Sequence, residues 1–203
     1  MKISVTKEDL LNGLQSVQNV VGTRSTLPIL SNVLLVATEN RVELRVTDLE
    51  VSIHARVPAK VHREGASTLP ARRIFGLVRE IEATEIEIEI SDKAIATVQA
   101  AGASYKLHGI GAEEFPPEAK FKESGKIKLQ QSKLREMLKK TAYAVSTDES
   151  RHTLNGINFL AEPERITLVA TDGRRLALVE EEIEEGTKGQ FIMPTKTVSE
   201  LQR

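Results

Sequence analysis

Cysteine is absent from this sequence of 203 residues. The chain can therefore form no disulfide, no thiolate metal site and no thiol nucleophile. The absence is compatible with a cytoplasmic location, which is our expectation. Aromatic residues are also scarce, with two Tyr, five Phe and no Trp. So few rings are a poor match for a surface that stacks the bases of single-stranded nucleic acid.

Long apolar runs and a large excess of one charge are missing too. No segment approaches 18 consecutive apolar residues, so we expect no membrane span and no membrane partner. The first residues alternate in polarity and lack the apolar run of a signal peptide. The formal net charge is −1. Nucleic-acid binding would therefore depend on where charges are placed.

Catalytic and metal-binding patterns are not evident. No Gly-rich phosphate loop occurs, and none of the four histidines has metal-ligand spacing to another histidine or to a carboxylate. A hydrolase that uses Asp172 with Arg174 or Arg175 would lack a nucleophile and a metal set. We therefore expect no catalytic residue, no metal and no cofactor. The histidines are His54, His62, His108 and His152.

An internal repeat is the strongest feature that the sequence does contain. One offset of 124 residues relates landmarks along the chain with no net insertion between them. Chance matches of single pairs are common, whereas a constant offset over this length indicates duplication. The matching segments are Lys2-Ile3 with Lys126-Ile127, Leu30-Ser31-Asn32 with Leu154-Asn155-Gly156, Arg41-Val42 with Arg165-Ile166, Thr47-Asp48 with Thr171-Asp172, and Leu69-Pro70 with Met193-Pro194.

Each copy has the same predicted order of elements. A strand leads into a helix, three alternating stretches follow, and then the βαβββ order begins again. We predict a first domain at residues 1–122 and an incomplete second domain at 123–203, which lacks three strands by the first unit's plan. Such a chain would be a fragment, or would be completed by something else. In the first unit the predicted elements are a strand from Lys2, a helix that follows an N-cap at Thr6 and runs up to Gly22, strands at Asn32–Thr38, Arg41–Thr47, Leu49–Val57 and Ser67–Leu69, a helix at Ala71–Ile81, and strands at Glu85–Ser91, Ala94–Ala100 and Ser104–Gly109. The second unit repeats the strand from Lys126 and the helix at Gln131–Val145.

Basic residues concentrate on the predicted helices, while the strands and turns are acidic. For a single helix, basic residues are explained by a face exposed to solvent. Because both copies place basic residues on helices and acidic residues on strands and turns, we favour a shared basic surface that attracts phosphates without reading bases. The basic residues are Arg72, Arg73 and Arg79 on one helix and Lys133, Arg135, Lys139 and Lys140 on another. The paired Thr47-Asp48 and Thr171-Asp172 are predicted to be structural, with side chains that bond the backbone of a turn.

Five segments of the chain carry a family resemblance: Thr26-Leu27-Pro28-Ile29-Leu30, Val46-Thr47-Asp48-Leu49-Glu50, Leu69-Pro70-Ala71-Arg72, Leu154-Asn155-Gly156 and Ala170-Thr171-Asp172-Gly173-Arg174-Arg175-Leu176-Ala177. In order and spacing they resemble the bacterial replicative sliding clamp, the beta subunit of DNA polymerase III. The resemblance implies an α+β DNA clamp fold of repeated βαβββ motifs, with helices inside and antiparallel sheets outside. It also implies three domains per chain and a head-to-tail homodimer ring around duplex DNA, whereas here the third domain is absent.

The resemblance further implies site residues. The DNA-binding residues would be Arg24, Arg151 and Lys196, together with Arg72, Arg73, Arg79, Lys133, Lys139 and Lys140 on the helices. His152 and Thr153 replace a frequent aromatic pair of the family. The second-domain wall of a peptide-binding cleft would be Leu154, Thr171, Gly173, Arg174, Arg175 and Leu176. The ring interface would lie near Arg73, Tyr105 and Leu107.

The resemblance implies a non-catalytic processivity factor, whose partners are duplex DNA, the replicative polymerase, the clamp loader and other proteins with a clamp-binding motif. With the other wall of the cleft missing, we expect peptide binding by this chain alone to be weak or absent. An alternative is a protein-binding module that kept the clamp fold without forming a ring.

Overall fold

The computed structural model describes residues 1–21, 27–117, 127–148, 150–184 and 186–202. The chain divides into two compact units, residues 1–118 and 119–203. Each unit has its own hydrophobic core.

The first unit contains two antiparallel sheets and two α-helices. Its elements are β1 (Lys2–Thr6), α1 (Lys7–Val17), β2 (Asn32–Thr38), β3 (Arg41–Thr47), β4 (Ser52–Pro58), β5 (Lys60–Arg63), β6 (Gly65–Pro70), α2 (Ala71–Glu80), β7 (Glu85–Ile90), β8 (Ile95–Ala100) and β9 (Ala103–His108). One sheet has the order β5-β1-β7-β8-β9 and the other β4-β3-β2-β6. The helices pack beside each other, with α1 on β3 and β4 and α2 on β2 and β6.

Local sequence signals explain how the two helices of the first unit begin. The Thr6 hydroxyl accepts a hydrogen bond from Asp9 N at 3.1 Å, so Thr6 is the N-cap of α1. Pro70 immediately precedes α2, at a point where a backbone N–H is not needed for the helix. Leu10, Leu14 and Val17 then bury one stripe of α1 against the sheet.

The second unit repeats the first half of the first unit without a shift in register. Its elements are α3 (Gln131–Thr141), β10 (Gly156–Glu162), β11 (Arg165–Thr171), β12 (Leu176–Glu182), β13 (Gly189–Pro194) and α4 (Thr195–Leu201). The strand order β12-β11-β10-β13 copies β4-β3-β2-β6. The pairing Leu35↔Leu44 recurs as Phe159↔Leu168, so the predicted duplication is confirmed down to single residue pairs.

The structure corrects both the bounds and the list of the predicted elements. Helix α1 ends at Val17 rather than Gly22, and α3 ends at Thr141 rather than Val145. The third strand of the unit begins at Ser52 rather than Leu49, because residues 48–51 form a turn. A short strand, β5, lies where the prediction had none and pairs with β1. The strand predicted to begin at Lys126-Ile127 is wrong for Ile127–Gln130, and Lys126 lies outside the described residues. In the first unit, by contrast, β1 pairs with both β5 and β7.

Candidate functional site

A tight turn between β11 and β12 presents the Thr-Asp-Gly-Arg-Arg segment. The Thr171 hydroxyl donates to Arg175 O at 2.7 Å and accepts from Gly173 N at 3.1 Å. The Asp172 carboxylate accepts from Arg174 N at 2.9 Å and from Arg175 N at 3.0 Å. These bonds satisfy the backbone of the turn from within, so the turn is held by its own side chains.

The same turn occurs between β3 and β4. Thr47 accepts from Leu49 N at 3.0 Å, and Asp48 accepts from Glu50 N at 3.1 Å and Val51 N at 2.7 Å. The structural role predicted for both Thr-Asp pairs is therefore confirmed. The third turn residue has a positive φ in both units, 79° at Leu49 and 87° at Gly173. Glycine adopts that conformation without strain, which explains its place in the second copy.

Hydrogen bonding also keeps Asp172 charged. The backbone N–H groups of Arg174 and Arg175, with a further bond from the Arg175 guanidinium, hold the pKa of the Asp172 carboxyl below its usual value. Arg175 Nε lies 3.1 Å from Asp172 Oδ2, and its guanidinium lies 5.6 Å from the Tyr143 ring centroid. Arg175 is thus positioned between a carboxylate and an aromatic face. Sequence reasoning missed Tyr143, which is 59% exposed.

The structure brings most of the predicted cleft wall to one place. Thr171, Gly173, Arg174 and Arg175 form the turn, and Leu176 follows it with 62% of its surface exposed. Leu154 is half-buried, and its carbonyl accepts from Ser146 N at 3.0 Å. An exposed leucine next to two exposed arginines is unlike a core position, and it forms an apolar patch with a basic rim.

Arg151, predicted to contact DNA, lies beside this turn. A Cβ built on Gly173 would lie 3.6 Å from Arg151 Nη1, and Arg151 Nε lies 3.3 Å from Asp148 Oδ2. The loop residue is therefore held by a neighbouring carboxylate. Lys196, on α4, is half-buried. Arg24 lies outside the described residues.

Helix α2 presents three arginines on its outward face. Arg72, Arg73 and Arg79 are all exposed. Arg79 Nε lies 2.8 Å from Glu80 Oε1 and its guanidinium lies 5.9 Å from the Phe75 centroid. Over the described part of the chain, neither Arg72 nor Arg73 makes an ion pair. These two guanidinium groups are therefore available to an external anion.

Nearby carboxylates neutralise more of the basic residues of α3 than the sequence indicated. Lys133 is half-buried and forms an ion pair with Glu181 of β12. Lys140 Nζ lies 2.6 Å from Glu136 Oε1, one helical turn away. Lys139 is exposed and makes no ion pair with any described residue. The net positive charge of this face therefore falls mainly on Lys139 and on Arg135, which is also exposed.

The residues predicted for a ring interface lie on two elements of the first unit. Tyr105, 40% exposed, and Leu107, packed against the core, belong to β9, while Arg73 belongs to α2. Strand β9 is at the edge of its five-stranded sheet. An edge strand offers unpaired backbone groups to another strand.

The described residues contain neither a metal-ligand cluster nor a membrane-spanning helix. Among them, no group of three or more His, Cys, Asp or Glu side chains is placed to hold a metal ion. Within the same residues, every helix is too short or too polar to cross a membrane.

The repeated units of antiparallel sheets with helices define an α+β DNA clamp fold. Residues 1–119 match the family model for the DNA polymerase III beta subunit, N-terminal domain, and residues 128–203 match its central domain. The chain belongs to the DNA polymerase III beta subunit family.

Curated relatives support this assignment. The chain is 34% identical over 205 residues to the beta sliding clamp of Chlamydia trachomatis and 36% identical over 206 residues to that of Proteus mirabilis. These alignments cover all of this chain but 49% and 56% of the relatives, respectively. The chain therefore spans about half the length of the curated relatives it matches.

Solved structures show the same fold. The DNA polymerase sliding clamp of Bacillus subtilis superposes with a TM-score of 0.95 at 27% identity, over 100% of this chain and 56% of that one. A Bartonella birtlesii DnaN sliding clamp bound to griselimycin superposes with a TM-score of 0.91 at 33% identity, over 100% of this chain and 56% of that one.

Proposed function

We propose that this chain forms the first domain and part of the second domain of a sliding clamp. A sliding clamp is a non-catalytic factor that encircles duplex DNA and tethers a replicative polymerase to it. The observation that carries the proposal is that both units match models of one family, at residues 1–119 and 128–203, and share one repeat offset and one strand register.

The basic helix faces support a sliding contact with DNA. Arg72, Arg73 and Lys139 are exposed without an ion pair to a described residue, whereas Lys133 and Lys140 are compensated by carboxylates. A few uncompensated charges bind phosphates weakly and without sequence preference. Weak contacts allow movement along the duplex, because retention on DNA comes from closure of the ring rather than from affinity.

The exposed turn supports a role as one wall of a peptide-binding cleft. Leu176 supplies apolar surface, while Arg174 and the positioned Arg175 supply charge at its rim. Proteins that carry a clamp-binding motif, such as a polymerase or a clamp loader, would dock an apolar side chain there. That the Bartonella birtlesii clamp is bound to griselimycin supports a ligand-binding role for this fold.

The edge strand β9 supports head-to-tail assembly. In the proposal, Tyr105 and Leu107 meet a third domain from another chain, with Arg73 nearby. A closed ring would then require the rest of the second domain and a third domain in addition to these 203 residues. The proposed setting is the cytoplasm, where the chain would act without a cofactor.

Topological retention on DNA tests the clamp proposal. A ring-forming species stays on closed circular DNA during gel filtration and leaves when the circle is cut, and its native mass is that of a multimer. We expect the chain extended through the rest of the second domain and a third domain to behave in this way. A completed, folded multimer that leaves circles and linear DNA equally fast would refute the proposal.

A non-ring protein-binding module is the second candidate, and the exposed Leu176 with its arginine rim favours it. The two candidates differ in what the chain does alone. As part of a clamp, the 203-residue chain should bind a Gln-Leu-rich clamp-binding peptide far more weakly than a version extended through a third domain. Equal affinities would show that the second-domain wall is sufficient and would support the module.

A further inference from the structure

Gly76 lies at the centre of the outward face of α2. The helix buries Ala71, Ile74 and Val78. Each residue turns an α-helix by about 100°, which places position 76 opposite the middle of that buried stripe. The residue that faces outward most directly on this helix is therefore the one without a side chain.

The fold gives no reason for glycine at this position. Gly76 is absent from the residues with positive φ, and a Cβ added to it would have no atom within 4 Å. Glycine is also among the least favourable residues in a helix interior. The equivalent position of the second unit is Glu200 on α4, so the repeat accommodates a long side chain there.

Arginines surround the bare position. Arg72 precedes Gly76 by four residues and Arg79 follows it by three, so both are its neighbours along the helix surface. Arg73 lies on the other side. Arg72 and Arg73 make no ion pair with the residues that the structure describes. Gly76 itself is half-buried, and Glu80, which follows it by four residues, pairs with Arg79. Arg72 and Arg73 are therefore the guanidinium groups that border Gly76 without an ion pair to a described residue.

We propose that a phosphate of duplex DNA contacts the backbone of α2 directly at Gly76, between Arg72, Arg73 and Arg79. We call this position the phosphate seat. This inference rests on the proposed clamp function. A phosphate is an anion that arginine binds through paired N–H donors. A side chain at position 76 would keep the phosphate away from the helix and would lengthen its contacts with the arginines.

Affinity for duplex DNA as a function of salt tests the seat. Fluorescence anisotropy with a labelled duplex of about 25 base pairs, long enough for several phosphate contacts, would compare the 203-residue chain with Gly76→Ala, Gly76→Leu and Arg72→Ala. Gln99→Leu, at an exposed position of β8, controls for the added apolar surface. Neither glycine variant changes the net charge, and a thermal melt of each variant reports whether it is folded.

The expected result is a graded loss of affinity from glycine to alanine to leucine, with no loss for Gln99→Leu. A plot of log affinity against log salt concentration becomes less steep by about 0.9 for each lost phosphate contact. A fourfold rise in salt then weakens binding by a factor that is about threefold smaller than for the unmodified chain. If Arg72→Ala lowers the salt slope while Gly76→Leu is folded and has the slope of the unmodified chain, the phosphate seat is refuted. The proposed DNA-binding role of α2 is then unaffected. If neither variant changes affinity or slope, both the seat and the DNA-binding role of α2 are overturned.

Discussion

Two glycines on neighbouring helices should respond in opposite directions to the same substitution. Gly13, on α1, faces the sheet: a Cβ built on it would overlap Val57 Cγ2 and lie 3.0 Å from Leu44 Cδ1. Gly76, on α2, faces open space. Both residues are interior to a helix, so the gain in helix propensity on substitution by alanine is similar, and the surroundings decide the sign.

The magnitudes follow from that difference. Replacing a helix-interior glycine by alanine contributes about 0.5–1 kcal/mol to stability. At Gly13 the added methyl overlaps two buried side chains, and overpacking of a core costs about 1–3 kcal/mol. We therefore expect Gly13→Ala to destabilise the chain by about 1–2 kcal/mol and Gly76→Ala to stabilise it by about 0.5–1 kcal/mol.

Urea denaturation followed by circular dichroism measures both effects. An unchanged dependence of the free energy of unfolding on urea concentration would show that the change lies in stability rather than in the unfolded state. Equal stabilisation by Gly13→Ala and Gly76→Ala would contradict this prediction. That outcome would mean that α1 does not pack as closely on β3 and β4 as the structure shows.

Three further predictions concern the polar network, the turn and the apolar patch. Thr68→Val should destabilise the chain by about 1–3 kcal/mol in urea denaturation, because the buried Asn32 amide, 2.8 Å from the Thr68 hydroxyl, loses its acceptor; Thr68→Ser should lose much less. Because the pKa of Asp172 is lowered, its ionised carboxylate stabilises the turn above about pH 4, and this stabilisation is lost as the pH falls through the folded-state pKa. In an NMR titration the chemical shifts of the Asp172 carboxyl and the Arg174 N–H should change together, with a midpoint below the unperturbed pKa. Leu176→Ser should change stability by no more than about 0.5 kcal/mol in a thermal melt yet weaken peptide binding by the extended chain, and an unchanged affinity would remove Leu176 from the cleft.

Much of the fold could be predicted because the duplication is preserved in the residues that set each element. The pairs of apolar positions that face the core recur at one offset, so the strands recur with their partners. The turn was predictable for a different reason, since Thr and Asp side chains bond the backbone locally and need no distant partner.

Elements that depend on distant partners were harder to predict. Strand β5 has only four residues, and it is a strand because β1 lies beside it. Residues 127–130 follow the sequence pattern of β1 yet form no strand, since a strand exists only with a neighbour to pair with. Periodicity along one segment carries no information about whether that neighbour is present.

The candidate site also combines a local feature that the sequence could predict with contacts between distant segments that it could not. Its Thr-Asp-Gly-Arg-Arg turn could be found from sequence, but the contact of Arg175 with Tyr143 joins residues from distant segments. Similarly, Lys133 counted as a free positive charge until the structure placed Glu181 of β12 beside it. Charge counted along a helix therefore overstated the basic character of α3, whereas it described Arg72 and Arg73 of α2 well.

The most direct test of the account is whether the arginines of α2 face DNA. The double variant Arg72→Ala and Arg73→Ala should be compared with Arg41→Ala and Arg56→Ala, which remove the same charge from exposed positions on the sheet strands β3 and β4. Salt titrations of duplex binding should show a log–log slope lower by about 1.8 for the helix pair, at about 0.9 per phosphate, and little changed for the sheet pair. Equal losses in the two double variants would mean that only net charge matters, and would contradict the assignment of the helix face to DNA.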